Sequence, residues 1–344
     1  MKLVKVVVLA AALSLAAAAA PAQYVELDAV LDSLNAELQW DPLTETGILD
    51  SAGRRLVFTL GSPWIMADYR LLFRTPGIIR RQGAILFPED TVRLLSDYLV
   101  QPPERGVAPR VAVILIDAGH GGKDPGAIGY LENDKSREMI REKDIVLRVA
   151  LDLHGRLSRV YPDKKILLTR RDDTYLKLEE RTKLANDIAL GEHEAIIFVS
   201  IHANASFNRK ARGYEVWYLP PEYRRDLINP DSLDNENREI APILNALLEE
   251  EYTIESIRLA REIITGFEKT LGTETENRGI KEESWFVVRN AKMPSVLVEL
   301  GFVTHPEEVA QLADLEYLQK LSEGIYTGIR NFVSMFESTK GFTE

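Results

Sequence analysis

The sequence contains no cysteine. This absence excludes disulfide bonds, a thiolate metal site, a cysteine nucleophile and a lipid anchor on an amino-terminal cysteine. Any metal ligand must therefore be His, Asp or Glu, and the stability of the fold must come from packing. Histidine is also scarce, with five in 344 residues, so each one can be weighed individually.

Positive charge is in deficit, because 42 Lys and Arg residues face 53 Asp and Glu residues, which leaves a net charge of −11. Proteins that hold nucleic acid by neutralising phosphates carry a basic surface. We therefore expect no nucleic-acid partner. The acidity indicates little else, since the charged residues are spread along segments with helical periodicity.

Long apolar runs are absent except at the amino terminus, where residues 6–20 follow Lys2 and Lys5 and end in small residues at 20–22. This arrangement predicts a signal peptide over residues 1–22. The run is too short and too rich in alanine to predict a membrane anchor, and no later segment is apolar enough to span a bilayer. We expect an exported protein of the periplasm or cell envelope, without a transmembrane segment after signal removal.

Residues 23–100 predict a small, mostly β module. Short strand-like runs at 55–60, 64–71 and 84–87 are separated by turn residues, and a helix-like stretch follows at 90–99. Residues 101–109 contain three prolines and one glycine and predict a linker. The module carries no recognisable motif, so a targeting or binding role stays open.

Residues 110–338 predict an α/β domain, because apolar strand-like runs alternate with segments of helical period. This alternation indicates a mostly parallel sheet with helices on both faces. A segment at about 220–251, rich in Asp, Asn, Glu and Pro, interrupts the alternation and is interpreted as an insertion. The predicted strands are 111–116, 165–168, 195–201 and 295–300, and the predicted helices are 142–160, 178–190, 254–271 and 315–336.

A histidine follows the end of two of these strands. Residues 114–122 read ILIDAGHGG and carry His120, and residues 195–205 read AIIFVSIHANA and carry His202. Binding sites of α/β sheets form at the carboxyl ends of the strands, so both imidazoles are expected at one edge. A single histidine in a glycine-rich loop often has no functional role. Two histidines at the ends of two buried strands are hard to explain as core residues, because burial of an unpartnered imidazole costs free energy.

A catalytic zinc ion commonly has three protein ligands and an open position for water. Glu142, at the start of the predicted helix 142–160, is the candidate third ligand, and Glu138 is its rival. Acidic residues are also common in any first helical turn because they interact favourably with the helix dipole. Residues 293–302, MPSVLVELGF, add Glu299, which is interpreted as a general base or, alternatively, as the structural partner of Arg278 or Arg289.

Together these segments resemble the zinc-dependent N-acetylmuramoyl-L-alanine amidases over roughly residues 111–335. The resemblance rests on six motifs in the family's order: IDAGHGGKDPGAIG at 116–129, EKDIVL at 142–147, TRRDDTYLKLEERTKLAND at 169–187, SIHANA at 200–205, NRGIK at 277–281 and PSVLVELGF at 294–302. It implies hydrolysis of the amide between N-acetylmuramic acid and L-alanine in peptidoglycan, with Zn²⁺ as cofactor. His120, Glu142 and His202 match the metal ligands, and Glu299 matches the catalytic glutamate.

The resemblance also implies that Asn204, Arg278 and the loop 124–126 line the substrate groove. Some relatives carry an insertion that covers the metal until an activator displaces it, and residues 220–251 lie in the corresponding interval. The hypothesis is that residues 240–251 form such a gate, with one carboxylate among Glu249, Glu250 and Glu251 reaching the zinc.

Two other functions fit the same residues. A non-catalytic peptidoglycan-binding protein would use the metal scaffold for grip, and a zinc peptidase would cut peptide bonds of the stem peptide. The carboxylate of Glu299 favours an enzyme over a binding protein. The family's carboxyl motif usually continues with a small residue and Asn, whereas Thr304 and His305 follow here, and His305 is interpreted as the start of a helix.

Overall fold

The computed structural model describes residues 23–338, apart from 43–44, 52–53, 68–70, 101–109, 134–135, 192, 224 and 228–240. The predicted signal peptide and the predicted linker lie outside the described residues. The chain forms two compact units, one on each side of residues 101–109. The functional domain bounds, 23–100 and 110–338, stay predictions.

The amino-terminal unit is mostly β. A five-stranded antiparallel meander and a three-stranded antiparallel sheet surround a core that includes Leu49, Leu56 and Phe58. In the smaller sheet the strand Ala84–Pro88 lies between Tyr24–Glu26 and Ile79–Arg81. Residues along the strands Thr46–Ser51 and Arg54–Thr59 alternate between buried and partly exposed, as the period of two predicts for strands with one covered face. The elements are β1 (Tyr24–Glu26), α1 (Leu27–Leu34), β2 (Glu37–Asp41), β3 (Thr46–Ser51), β4 (Arg54–Thr59), β5 (Trp64–Ala67), β6 (Leu71–Arg74), β7 (Ile79–Arg81), β8 (Ala84–Pro88) and α2 (Glu89–Val100).

The predicted elements of this unit correspond to β4, β8 and α2. The single strand predicted over 64–71 is instead the hairpin β5–β6, in which Ile65 pairs with Phe73. Helix α1 was not predicted, because eight residues after a three-residue strand show too few turns for a helical period to stand out.

The carboxy-terminal unit contains the remaining elements. They are β9 (Arg110–Ala118), β10 (Ile128–Asn133), β11 (Ser136–Arg141), α3 (Glu142–Val160), β12 (Lys165–Leu168), α4 (Leu178–Asn186), β13 (Glu194–Asn204), β14 (Tyr214–Tyr218), α5 (Ala241–Leu271), β15 (Asn277–Glu282), α6 (Phe286–Asn290), β16 (Ser295–Phe302), α7 (Glu308–Ala313) and α8 (Leu315–Ser338). No helix in the described part of the chain is long and apolar enough to cross a bilayer.

A six-stranded sheet in the order β12-β9-β13-β16-β14-β15 forms the centre of this unit. The first four strands are parallel, β14 runs antiparallel to β16, and β15 is parallel to β14. Strands β9, β13 and β16 are buried along nearly their whole length, which explains their continuous apolar runs. One core includes residues of α3, α5 and α8, and a second core includes residues of α4 and α6. The prediction of a mostly parallel sheet flanked by helices is confirmed, whereas β14, β15 and the hairpin β10–β11 were not predicted.

Helix α5 differs from the predicted organisation. The sequence indicated an insertion ending near 251 and a separate helix from 254, but one helix of 31 residues runs from Ala241 to Leu271. Pro242 is compatible with this helix because proline fits the first turn, where its missing N–H has no intrahelical partner. The acidic run 249–251, at which the predicted insertion ends, continues the helix in the structure.

Candidate metal centre

The structure brings His120, Glu142 and His202 together at the carboxyl edge of the central sheet. His120 follows the end of β9, His202 lies near the end of the neighbouring parallel strand β13, and Glu142 is the first residue of α3. The two imidazole rings are 5.0 Å apart between centroids, in an edge-to-face arrangement. Candidate metal-binding atoms of the three residues all lie within 4.8 Å of one another.

One carboxylate oxygen stands at the centre of this group. Glu142 Oε1 lies 2.9 Å from His202 Nδ1 and 3.1 Å from His120 Nε2. The backbone N–H of Ala203 donates to the same oxygen at 2.9 Å, and that of Ala127 donates to Oε2 at 2.8 Å. Burial opposes ionisation of Glu142, but the hydrogen bonds and charges of the two histidines outweigh it and hold its pKa far below the ordinary value.

These three residues fit a tetrahedral zinc ion. Ligand atoms about 2.1 Å from such an ion stand roughly 3.4 Å from one another, close to the separations around Glu142 Oε1. His120 Nδ1 lies 2.9 Å from Asp124 Oδ2, so that Nε2, which faces the group, is the ring nitrogen that would bind a metal ion. A carboxylate behind a ligating histidine orients its ring and increases its basicity. Two imidazoles and one carboxylate are also a usual donor set for zinc.

The loop that carries His120 has a strained backbone. His120 has a φ of 57°, in the left-handed region, where a non-glycine residue is uncommon, and Gly121 and Gly122 follow with φ of 123° and 57°. Arg181 donates to the carbonyl oxygens of Ala118 and His120, in both cases at 2.6 Å. These contacts hold the backbone in the conformation that presents the imidazole.

Arg181 is itself held by a buried anion. Its guanidinium donates to Asp117 Oδ1 at 2.7 Å, and the hydroxyls of Thr169 and Ser200 donate to the same carboxylate at 2.7 Å each. Arg170 adds a hydrogen bond of 2.7 Å to the carbonyl oxygen of Gly119. We did not predict these supporting residues. Asp117 was detectable, because it is a charged residue inside an apolar run, whereas Arg181 lies in a polar helix that offers no such signal.

Glu299 lies on β16, directly beside His202 in the parallel register. Its Oε2 atom is inaccessible to solvent and has no hydrogen-bond partner among the described residues. Burial, together with the charges of Glu142 and Glu215, raises the pKa of Glu299 well above the ordinary value. The alternative that Arg278 pairs with Glu299 is not supported, because Arg278 Nε donates to Glu215 Oε2 at 2.6 Å.

The two predicted substrate-binding residues share one partner. Asn204 Nδ2 donates to Glu215 Oε1 at 2.7 Å, and Arg278 contacts the other oxygen of that carboxylate. Glu215 lies on β14 opposite Glu299 of β16, so this cluster stands one strand beyond Glu299 and two strands beyond His202. His305 Nδ1 accepts hydrogen bonds from the backbone N–H of Glu307 and Glu308, as expected for a residue at the start of a helix.

The structure does not bring the predicted gate carboxylates to the histidines. Glu249 is buried and accepts a hydrogen bond of 2.7 Å from Arg225 Nε, and Arg225 Nη1 donates to the carbonyl oxygens of Ala291 and Met293. Met293 precedes β16, six residues before Glu299, which corresponds to roughly 20 Å of extended chain. Glu250 is exposed and Glu251 is partly buried. Metal coordination by any of the three stays a prediction, and the buried contact with Arg225 is a physical argument against Glu249.

The comparisons with known proteins agree with the six motifs. A family model described as N-acetylmuramoyl-L-alanine amidase matches residues 114–331. A putative N-acetylmuramoyl-L-alanine amidase of Buchnera aphidicola subsp. Baizongia pistaciae is 30% identical over 64% of this chain and 95% of its own length. AmiA of Escherichia coli strain K12, an N-acetylmuramoyl-L-alanine amidase, is 28% identical over 67% of this chain and 80% of its own.

AmiC of Escherichia coli O6:H1, another N-acetylmuramoyl-L-alanine amidase, is 26% identical over 90% of this chain and 79% of its own length. A match of that extent includes most of the amino-terminal unit as well. The chain therefore belongs to the N-acetylmuramoyl-L-alanine amidase family. It is a hydrolase of peptidoglycan, and the bond it cuts is the amide between N-acetylmuramic acid and L-alanine.

Proposed function

We propose that this amidase is zinc-dependent, with His120, Glu142 and His202 as the metal ligands and Glu299 as the proton-transferring residue. A zinc ion at this position supplies a Lewis acid that polarises the amide carbonyl and makes a water molecule more acidic. The spacing of the three donor atoms and the hydrogen bond from His120 to Asp124 support this assignment.

Glu299 takes one proton from the attacking water, so that the water oxygen can bond to the carbonyl carbon of the lactyl group. The carbon–nitrogen bond then breaks, and Glu299 returns the proton to the nitrogen of L-alanine, which leaves as an amine. The products are the lactyl carboxylic acid, which loses its proton to the solvent at neutral pH, and the released stem peptide. A raised pKa suits a group that accepts and then donates a proton near neutral pH.

The unpartnered Oε2 atom of Glu299 is the observation that carries the catalytic assignment. A carboxylate oxygen removed from water without a hydrogen bond costs free energy, so a purely structural role gives no reason to retain it. Its neighbour in the register is His202, a proposed metal ligand. This position also favours catalysis over a scaffold that only grips peptidoglycan.

The test is release of stem peptide from isolated peptidoglycan by the zinc-loaded protein. We expect Glu299→Gln to lower kcat by at least about 10²-fold while zinc remains bound, because the amide cannot take up the proton. EDTA should abolish activity and added zinc should restore it. Equal rates for wild type and Glu299→Gln would overturn the role of this residue, and full activity in EDTA would overturn the metal.

The rival zinc peptidase uses the same chemistry on a different bond. Mass analysis of the products distinguishes the two, because an amidase leaves a free lactyl carboxyl on the sugar and L-alanine at the amino end of the released peptide. Products with L-alanine still attached to the sugar would identify a peptidase. The family match favours the amidase.

We infer further that residues 1–22 direct export and that the mature enzyme works in the periplasm or cell envelope, where its substrate lies. The supporting feature is the pattern of Lys2 and Lys5 before an apolar run. Residues 110–338 form the catalytic domain in this proposal, and residues 23–100 have a targeting or binding role. The activator expected to act on 220–251 stays a prediction.

A further inference from the structure

Glu215 is a buried carboxylate that three polar side chains surround. Its residue is 2% exposed, and it lies opposite Glu299 in the antiparallel pair β14–β16. Asn204 Nδ2 donates to Oε1 at 2.7 Å, whereas Arg278 Nε and Lys281 Nζ both approach Oε2 at 2.6 Å. Both oxygens of Glu215 therefore have polar partners, and two cations are paired with one negative charge.

A β-bulge brings these two cations together. Tyr214 pairs with Asn277 and Val216 pairs with Ile280, so two residues of β15 stand opposite Glu215 alone. Residues three apart on a regular strand point to opposite faces, but the additional residue places Arg278 and Lys281 on the same face. Gly279, within the bulge, has a φ of 80°, and an added Cβ would meet nothing within 4 Å. Glycine is required there for its backbone conformation and not for space.

The cluster carries one positive charge in excess and keeps donors available. The side chains of Arg278 and Lys281 are 28% and 30% exposed, in contrast to the 2% of Glu215. Arg278 Nη2 donates to no group among the described residues, and the Lys281 ammonium, which has three N–H groups, forms an ion pair with Glu215. Two held cations with free N–H groups are preorganised for a carboxylate, because their rotamers are already restricted by Glu215.

The position of the cluster selects one part of the substrate. Neighbouring strands are about 4.8 Å apart, so the backbone of β15 lies roughly 10 Å from β16, and the cationic groups of Arg278 and Lys281 reach back to Glu215 on the strand between them. An extended peptide advances about 3.3 Å per residue, so this interval corresponds to about one to three residues beyond the cut bond. The lactyl carboxyl of the sugar is consumed in the amide, so free carboxylates occur only on the peptide side.

We propose that Lys281 and Arg278, held by Glu215, form a subsite that binds a carboxylate of the stem peptide. This inference rests on the proposed function, since it places the cut bond at the metal edge. It assigns specificity to Lys281 and a positioning role to Glu215. The amidase accordingly discriminates between stem peptides with free and with amidated carboxyl groups.

The experiment compares two synthetic N-acetylmuramoyl tetrapeptides that differ only in their peptide carboxyls, which are all free or all primary amides. With the full-length zinc-loaded enzyme we expect KM to be about ten-fold lower for the free acid and kcat to differ less than about two-fold. Lys281→Met should reduce this preference to about two-fold, and Lys281→Arg should restore it. Lys292→Met, a change of an exposed lysine before β16, serves as the matched control and should keep the wild-type ratio.

Binding measured by calorimetry separates this inference from the proposed function. The zinc-loaded Glu299→Gln protein should bind the free acid about ten-fold more tightly than the amide, and the added substitution Lys281→Met should remove the difference. Equal affinity for the two ligands, or an unchanged ratio in the Lys281→Met proteins, overturns the subsite. If wild type cuts neither substrate while the affinity ratio holds, the catalytic proposal fails and the subsite stands.

Discussion

At the residue scale, Gly119 is a position in the metal centre where any side chain would clash with His202. A Cβ added there would lie 2.4 Å from His202 Cε1 and 2.8 Å from His202 Nδ1, well inside contact distance. The preceding strand and the following loop fix the backbone on both sides of this residue. Glycine is therefore required by the approach of the β9 loop to the imidazole of β13.

We expect Gly119→Ala to displace His202 and to lower activity by about 10²-fold, since a shift near 1 Å of a catalytic group has effects of that size. Zinc affinity should fall in parallel, as measured by competition with a chromogenic chelator. The control is Gly155→Ala in α3, where an added Cβ meets nothing within 4 Å. Alanine favours a helix interior by up to about 1 kcal/mol. Wild-type zinc affinity in Gly119→Ala would contradict the argument.

Asp117 gives a second prediction, which depends on pH. Burial opposes its ionisation, but Arg181, Ser200 and Thr169 outweigh burial and lower the pKa of Asp117 below the ordinary value. Because the folded pKa is depressed, the carboxylate stabilises the fold above the unfolded pKa of about 3.9, and this stabilisation is lost as pH falls through the folded pKa.

Asp117→Asn leaves the charge of Arg181 buried without its partner, which should lower the free energy of unfolding by about 3–5 kcal/mol at pH 7. The difference in the free energy of unfolding between wild type and Asp117→Asn should be smaller at pH 3, where the wild type loses part of the stabilisation that the Asp117 carboxylate provides. Urea unfolding at both pH values measures this difference. Asp187→Asn, which removes an exposed ion pair with Lys183, should cost less than about 1 kcal/mol. A pH-independent deficit in Asp117→Asn would argue against the linkage.

At the scale of elements, helices α5 and α8 approach each other through glycines. A Cβ on Gly266 would lie 2.1 Å from the carbonyl oxygen of Gly324, and one on Gly328 would lie 2.5 Å from the Cα of Ile263. The obstructing atoms are backbone, so a rotamer change cannot relieve the clash. The two helices and the parallel strands share one hydrophobic core, so moving the helices apart would disturb the packing of that core.

Gly328→Ala should therefore lower the free energy of unfolding by about 1–3 kcal/mol, despite the higher helix propensity of alanine. The effect is opposite in sign to that expected for Gly155→Ala, and chemical denaturation of both variants tests the contrast. A stabilised Gly328→Ala protein would show that the helices separate without cost. The metal centre lies at the strand ends, and we expect zinc stoichiometry to be unchanged.

At the scale of the whole molecule, the proposed metal ion connects three distant segments of one unit. Its ligands come from the loop after β9, the start of α3 and the end of β13, all within the carboxy-terminal unit. The described residues of the amino-terminal unit include none of these ligands. A ligand that binds the folded state alone stabilises it by about 4 kcal/mol at a thousand-fold excess over its Kd.

Removal of zinc by EDTA should consequently lower the melting temperature of the carboxy-terminal unit by roughly 10 °C. The transition of the amino-terminal unit should stay in place. Scanning calorimetry of the full-length protein, repeated after zinc is restored, measures the unfolding transitions of both units. Equal shifts of both transitions, or no shift, would contradict a site confined to one unit.

Local patterns predicted the elements that are long or strongly apolar. Strands β9, β13 and β16 and helices α3 and α8 have periods and lengths that leave little ambiguity. The edge strand β15 could not be predicted, because NRGIKE is polar and its bulge depends on pairing with β14. The continuity of α5 was missed because a run of three glutamates resembles a solvated boundary.

By itself, the sequence determined which side chains were available as ligands and which of them stand at the ends of buried strands, since composition and periodicity are local properties. The tertiary structure alone decided that Arg278 pairs with Glu215, that Glu299 keeps an unpartnered oxygen, and that Arg225 holds Glu249. Such pairings depend on which strands and helices become neighbours. That outcome follows from packing between segments far apart in the chain.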